Sequence, residues 1–293
     1  MIVMTILVKD EIDIIEKNIR VHAKLGVDAF VVMDNNSTDG TREKLDELAK
    51  EFEITIIDEK GLYNQAKWMK KLAKTAKNKY NPRWVINNDA DEFWIPKDNR
   101  SLKEILENTS GAVLTCQRYN MVIDESVSNG NYYDAEYHVH NPVYYRKEIQ
   151  LNYEYPSIVL SKIGPKVITD PKGLLIIRGG NHKALHLRNF WDYWRHYDKI
   201  KRFPHIEVFH FVIRSYEQFE KHIKIRKRLL EDKKHIRMGP HYRRWVKLYN
   251  EGKLREEWEN RIVFKKNEVE VFEKYGVFKK DTRIKELLKS VKG

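Results

Sequence analysis

Three acidic residues close to one another follow an apolar segment of the chain. Residues 84–87 are typical of a buried strand, and Asp89, Asp91 and Glu92 come directly after it. Ligand sites in open α/β sheets lie outside the carboxyl ends of strands, where these carboxylates emerge. A divalent cation such as Mn²⁺ or Mg²⁺ would remove their mutual repulsion. In an extended segment Asp89 and Asp91 project to the same side, which predicts that both address one metal–diphosphate unit. An acidic surface turn is the alternative.

A second polar stretch, DNNSTDGT at residues 34–41, follows another apolar segment at 29–33. Asp34 stands at a predicted strand end, where a carboxylate can accept hydrogen bonds from a base or a ribose. We expect Ser37 to Asp39 to cap the next helix. Taken alone, the stretch is also explained as a common strand-to-helix turn.

Alternating apolar and amphipathic segments must position these groups. The pattern predicts strands at 2–8, 29–33, 54–57, 84–87 and 112–119, with helices after each of the first three. Strands that alternate with helices indicate an α/β fold whose mainly parallel sheet is flanked by helices, as in Rossmann-like domains. Tyrosine-rich strands and loops are expected from 120 to 163, a strand at 174–177, and mainly helices from 215.

Composition limits the class of protein. With 12% aromatic residues among 293, the chain is expected to fold as one main domain with a tail. The net charge is +12, and residues 214–293 hold 24 Lys plus Arg against 13 Asp plus Glu. Such a tail is either a solvated helical surface or a contact for anionic lipid, nucleic acid or acidic polymer. No apolar run approaches the roughly 20 residues of a membrane span. Together with a single Cys116 and no secretory pattern, this predicts a cytoplasmic setting.

Three motifs occur in order within the first 93 residues: VKDE at 8–11, DNNSTDGT at 34–41 and DADEF at 89–93. In these motifs the chain resembles family 2 glycosyltransferases of the GT-A fold, most clearly over residues 1–120. RGGNH at 178–182 and HFVIRSYEQF at 210–219 resemble later segments of the same family. The resemblance implies a GT-A domain at 1–213, with a nucleotide-sugar half at 1–120 and an acceptor half at 120–213. A basic helical region follows at 214–293.

The resemblance further implies an inverting, metal-dependent transfer of a sugar from a nucleoside-diphosphate sugar, first of all a UDP-sugar. The acceptor would be a hydroxyl of a glycan or a lipid-linked molecule, and the cofactor Mn²⁺ or Mg²⁺. Glu92 would assist from behind the metal ligands. The implied donor-binding residues are Val8, Lys9, Asp10, Glu11, Asp34, Asn36, Lys67, Asp89 and Arg214. The implied metal ligands are Asp89, Asp91, His182 and His210. Candidates for the general base are Asp124, Glu125 and His182.

Two other functions compete with this interpretation. A sugar nucleotidyltransferase would carry a glycine-rich phosphate loop after the first strand, and residues 8–11 contain no glycine. A nucleic-acid or anionic-surface binding protein would use the basic C-terminal helices. Aromatic residues do not alternate with the basic residues of 221–234 as in a stacking platform, so nucleic acid is not an expected partner. Peripheral contact with an anionic membrane through the tail remains an expectation.

Overall fold

The structure, a computed structural model, describes residues 1–61, 65–145, 157–189, 202–232 and 238–292. It separates into two compact units that interleave along the chain. The first unit comprises Met1–Arg118, Gly164–Phe209 and Leu287–Gly293, and the second comprises Tyr119–Ile163 and His210–Glu286. The domain division at residues 213 and 214 remains a prediction.

The described strands, in chain order, are β1 Ile2–Val8, β2 Ala29–Asp34, β3 Ile54–Asp58, β4 Trp84–Asp89, β5 Glu92–Pro96, β6 Val113–Asn120, β7 Ile123–Asp124, β8 Tyr137–Val139, β9 Tyr144–Tyr145, β10 Ser161–Lys162, β11 Lys166–Thr169, β12 Leu174–Ile177, β13 Ala184–His186, β14 Arg202–His210, β15 Val263–Phe264 and β16 Phe278–Lys280. The described α-helices are α1 Ile15–Lys24, α2 Thr41–Leu48, α3 Gln65–Tyr80, α4 Leu102–Glu107, α5 Tyr216–Asp232, α6 Pro240–Asn250, α7 Leu254–Glu257, α8 Lys266–Lys274 and α9 Arg283–Lys289.

The first unit is built on an eight-stranded sheet in the order β3-β2-β1-β4-β11-β6-β14-β5. Strands β3, β2, β1 and β4 are parallel, and β11 runs antiparallel to both β4 and β6. The α3 residues Trp68, Met69 and Leu72 pack on this sheet in a buried cluster with Val3, Val31 and Val85. Burial on both faces explains why β1 and β2 are almost continuously apolar. The predicted α/β fold, a mainly parallel sheet flanked by helices, is therefore confirmed.

The second unit combines helices with short two-stranded ladders, β15 with β7 and β16 with β8. Aromatic side chains form much of its interior: the Phe219 ring lies 4.9 Å from Trp245 and 6.2 Å from Trp258. Tyr132, which belongs to the tyrosine-rich segment, is buried edge-on against Phe211. None of the described helices has both the length and the apolar character that a bilayer span requires.

Candidate active site

The ends of three neighbouring parallel strands bring the first two motifs and the acidic residues to one edge of the sheet. Val8 at the end of β1 pairs with Asp34 at the end of β2. Leu7 of β1 pairs with Asp89 at the end of β4. Because the register is parallel and unbroken, Asp34 and Asp89 leave the sheet on either side of β1 at almost the same level. This is the strand edge at which α/β folds bind ligands.

The loop after β1 is joined to the loop after β2 by hydrogen bonds. Asp10 adopts a left-handed backbone conformation with φ of 57°, and its Oδ1 accepts the Thr38 N–H at 2.7 Å. The Asp10 N–H in turn donates to Ser37 Oγ at 2.9 Å. The prediction that Ser37 to Asp39 cap the following helix holds for Asp39, whose Oδ1 accepts the N–H of Thr41, the first residue of α2, at 3.1 Å. It is wrong for Ser37, whose hydroxyl joins the loop after β1 instead.

The neighbouring donor candidates belong to the same pair of loops. Lys9 Nζ donates to the carbonyl oxygens of Asn35 at 2.8 Å and Asn36 at 3.1 Å. The Glu11 N–H donates to Thr41 Oγ1 at 2.9 Å. Asn36 has a φ of 56°, a left-handed conformation that asparagine tolerates better than most residues. The backbone of this edge is therefore fixed before any ligand arrives.

Asp34 offers an unused acceptor at this edge. The side chain is almost fully buried, and its Oδ2 accepts the Ser37 N–H at 3.1 Å. Its Oδ1 is buried as well and has no hydrogen-bond partner among the described residues. Since a buried carboxylate oxygen without a partner costs free energy, this atom is suited to accept a hydroxyl or N–H of a ligand.

The acidic triplet does not form one extended segment. β4 ends at Asp89, Ala90 and Asp91 form a turn, and β5 starts at Glu92. The prediction that Asp89 and Asp91 project to the same side of a strand is therefore wrong in its geometry. The turn is held by the buried Asn18 of α1, whose Nδ2 donates to the carbonyl oxygens of Ala90 and Glu92, each at 2.8 Å.

A buried polar network supports that turn. Asn18 Oδ1 accepts from Asn88 Nδ2 at 3.0 Å, and Asn88 Oδ1 accepts from the Trp94 indole at 2.8 Å. His22 Nε2 accepts the backbone N–H of Trp94 at 3.0 Å, so Nδ1 must carry the proton that it donates to the Asn18 carbonyl at 2.7 Å. Burial lowers the pKa of His22 to about 3, which keeps the ring neutral. The sequence reasoning missed Asn18, His22 and Asn88, which carry no motif of their own.

Two buried cations hold two of the acids. Lys166, which is fully buried, lies 2.5 Å from Asp89 Oδ2 and 3.0 Å from Glu92 Oε1. Arg118 lies 2.7 Å from the same Glu92 oxygen and donates to the Gly164 carbonyl at 3.1 Å. The group contains two carboxylates and two cations, so its formal charges cancel. Such burial requires pairing, because an isolated charge in the interior is strongly unfavourable.

Asp89 has a further partner in the RGGNH segment. Asn181 Nδ2 lies 3.3 Å from Asp89 Oδ1, so both Asp89 oxygens are engaged within the protein. Next to it, His182 Nδ1 donates to the Pro165 carbonyl at 2.8 Å, which leaves the lone pair on Nε2. Burial, with Arg118 and Lys166 nearby, lowers the pKa of His182 to about 3. Gly180 makes room for this ring, since a Cβ there would stand 2.6 Å from Nε2.

Four predicted site residues belong to the second unit. His210 Nδ1 lies 2.9 Å from Asn120 Oδ1, and the Asn120 amide nitrogen donates to the Val159 carbonyl. Asp124 Oδ1 accepts from the Ser126 N–H and hydroxyl, and Glu125 Oε2 accepts the Lys266 N–H at 3.3 Å. Arg214 is buried, with its guanidinium 3.4 Å from the Phe211 carbonyl. The remaining candidate, Lys67, is exposed on α3 of the first unit.

The first-unit acids fit a divalent cation. Asp91 is partly exposed in the turn, and Glu92 Oε2 is buried without a hydrogen-bond partner in the described parts of the chain. Carboxylate oxygens are the donors that Mg²⁺ and Mn²⁺ prefer. The orphaned oxygen of Glu92 and the adjacent Asp91 thus provide the chemistry of a metal site.

No curated protein matches the chain. Among solved structures, TarS 1–349 of S. aureus in complex with UDP is 15% identical over 58% of this chain and 46% of that one, with a TM-score of 0.38. GalNAc-T7 with UDP, GalNAc and Mn²⁺ is 12% identical over 76% and 47%, with a TM-score of 0.41.

Glucosyl-3-phosphoglycerate synthase from Mycobacterium tuberculosis, in complex with Mn²⁺, UDP and glucosyl-3-phosphoglycerate, is 15% identical over 58% of this chain and 57% of that one, with a TM-score of 0.31. The chain thus spans about half of the length of each of these structures. The family model described as Glycosyl transferase family 2 matches residues 6–162, more than half of the 293 residues. The chain therefore belongs to glycosyl transferase family 2.

Proposed function

We propose that this protein transfers a sugar from a nucleoside-diphosphate sugar, first of all a UDP-sugar, to a hydroxyl of a glycan or lipid-linked acceptor. One observation carries the proposal: the parallel ends of β2, β1 and β4 align Asp34 and Asp89 at one edge, and Asp34 Oδ1 there lacks a partner among the described residues. Family membership supports the reaction class.

The proposed donor-binding residues contact different parts of the donor, according to their position along this edge. Residues 8–11 and Asn36 would border the nucleoside, with Asp34 Oδ1 accepting a hydrogen bond from the base or ribose. Asp89 would face the ribose or the transferred sugar. Its preset orientation, fixed by Lys166 and Asn181, supports this role because a ligand then orders no further side chain there. Lys67 and Arg214 remain proposed phosphate partners.

We assign Asp91 as the carboxylate that ligates the metal. Glu92 Oε2 would lie next to the metal and support it. When bound, a divalent cation would neutralise the leaving diphosphate. His182 and His210 are the imidazole candidates. Each has its Nδ1 directed at an oxygen, of Pro165 and Asn120 respectively, and each therefore presents the Nε2 lone pair that metal ligation requires.

Transfer with inversion requires a group that removes the proton of the acceptor hydroxyl. His182 is proposed above as a metal ligand, and its Nδ1 donates to the Pro165 carbonyl. The proposed general base is therefore a carboxylate, Asp124 or Glu125. The acceptor oxygen would then displace the diphosphate in one in-line step.

The test is calorimetric binding of UDP and of UDP-, GDP- and dTDP-sugars with and without Mn²⁺. We expect micromolar binding of one nucleotide class only when metal is present. Asp91→Asn should weaken metal-dependent binding more than about tenfold, which corresponds to about 1.4 kcal/mol, with an unchanged melting temperature. Asp46→Asn, on the exposed face of α2, is the matched control and should bind normally. The proposal fails if no nucleoside diphosphate binds with any divalent metal.

A further inference from the structure

The solvent face of α3 is strongly basic. The helix QAKWMKKLAKTAKNKY carries six lysines and no acidic residue, while its opposite face is buried against the sheet. Lys71 and Lys79 pair with Glu59 and Glu53, each at 3.3 Å.

Three of the other exposed lysines form a row. Lys70, Lys74 and Lys77 are spaced by four and three residues, which places them on one face of the helix. All three are exposed, and within the part of the chain that the structure describes none has an ion-pair partner. Three uncompensated positive charges on one stripe create a local field that attracts anions.

The lysine row forms one side of a groove whose other side is apolar. Pro171, Leu174, Leu175 and Ile177 line that side, while Ala73 and Asn78 of α3 complete the lining. The groove volume of about 230 Å³ is below the roughly 300–1,000 Å³ typical of small-molecule pockets. The groove is therefore small for an enclosed ligand.

Apolar side chains are also exposed on the adjoining hairpin of β12 and β13. Ile176 is 48% exposed, and Leu187 directly after β13 is 63% exposed. Asp170, which precedes this hairpin in the chain, is buried and paired with Arg83 at 2.8 Å and Arg188 at 3.1 Å. The combination of unpaired lysines with exposed aliphatic side chains matches the anionic headgroups and acyl boundary of a membrane surface.

Two lysines of the C-terminal region are placed differently. On α5, Lys224 lies 2.6 Å from Glu220 and Lys227 lies 3.9 Å from Glu231. Both ammonium groups also lie within 6 Å of the Tyr249 ring. Neighbouring groups thus compensate these charges, although the tail holds most of the net positive charge.

We propose that the groove between α3 and β12, rimmed by Lys70, Lys74 and Lys77, docks the protein on a bilayer that contains anionic phospholipids. The proposal is independent of the sugar transfer suggested above. Here the lysines of α3 contact the membrane, and the basic residues of the C-terminal region do not.

The experiment is co-sedimentation of the full chain with phosphatidylcholine vesicles, with or without about one-third phosphatidylserine. We expect binding only to the anionic vesicles, weakened by salt. Each lysine near an anionic membrane surface contributes about fivefold to binding. The triple variant Lys70→Gln, Lys74→Gln, Lys77→Gln should therefore lower the vesicle partition coefficient on the order of 100-fold. The matched control Lys221→Gln, Lys224→Gln, Lys227→Gln removes the same charge and should bind as the parent does.

Two results would overturn the docking assignment. One is that the parent protein does not bind anionic vesicles. This includes the case in which the same lysines bind single-stranded RNA instead. The other is an α3 variant that binds as tightly as the α5 control. None of the six substituted lysines is buried, and unchanged circular dichroism and melting of both variants would verify that folding is intact.

Discussion

The fully buried Lys166 allows a sharp test of how the acidic residues are held in place. Lys166→Met keeps most of the side-chain volume and removes the ammonium that lies 2.5 Å from Asp89 and 3.0 Å from Glu92. Removing one partner of a buried ion pair costs about 3–5 kcal/mol, because the remaining charge is left uncompensated.

Two features of the site place the expected loss near the lower end of that range. Asp89 is 26% exposed on its side chain, so water can replace part of the lost interaction. Glu92 is fully buried, yet it keeps Arg118 at 2.7 Å. We therefore expect Lys166→Met to lower the free energy of unfolding by about 3 kcal/mol. For a domain with a typical stability of about 5–15 kcal/mol, the variant would still fold.

Urea denaturation of the parent, Lys166→Met, Glu92→Gln and the double variant measures the effect. The double variant should lose less than the sum of the single variants, with a coupling of at least about 1 kcal/mol, since both substitutions break the same contact. The exposed Lys162→Met serves as the control and should change stability by less than about 0.5 kcal/mol. A loss below about 1 kcal/mol in Lys166→Met, as for an exposed pair, would refute the reasoning.

Asn18→Ala removes the donor to the Ala90 and Glu92 carbonyls and should cost about 1–3 kcal/mol in a denaturant titration. It should also weaken nucleotide binding, and unchanged values of both would contradict the role of Asn18 in holding the turn. Because burial depresses the pKa of His22 to about 3, the unfolded chain binds the extra proton between that pH and about 6.5. Stability should therefore fall as the pH drops through this window, with His22 contributing about 1.4 kcal/mol per pH unit. His22→Gln should flatten the pH dependence by that amount, and an equal slope in both proteins would show that His22 does not carry it.

Local patterns predicted the sheet of the first unit well. The apolar segments at 2–8, 29–33, 54–57 and 84–87 correspond to β1 to β4 within one or two residues. β1 and β2 are buried along almost their whole length, so their sequences are almost continuously apolar and easily recognised. β3, at the end of the sheet, is only half-buried but still rich in isoleucine. The position of Asp34 and Asp89 at strand ends followed from the same pattern.

The contacts that organise the acidic residues were not predictable in the same way. Lys166 and Asp89 are 77 residues apart, and no local spacing connects a lysine on the antiparallel β11 to a carboxylate on β4. The turn at Ala90 and Asp91 was expected to be extended because its sequence continues from a strand. Its shape depends instead on Asn18, a helical residue that belongs to no motif.

The C-terminal end of the chain is hydrogen-bonded to α1, the helix that supports the acidic turn. Lys17 Nζ donates to the Leu288 and Val291 carbonyls, and Lys24 Nζ donates to Ser290 Oγ. Truncating the basic region would therefore also remove these contacts from α1, the helix that carries Asn18. A defect seen after such a deletion would therefore not report the loss of positive charge alone. Substitutions of single lysines within the basic region leave the contacts of Lys17 and Lys24 in place.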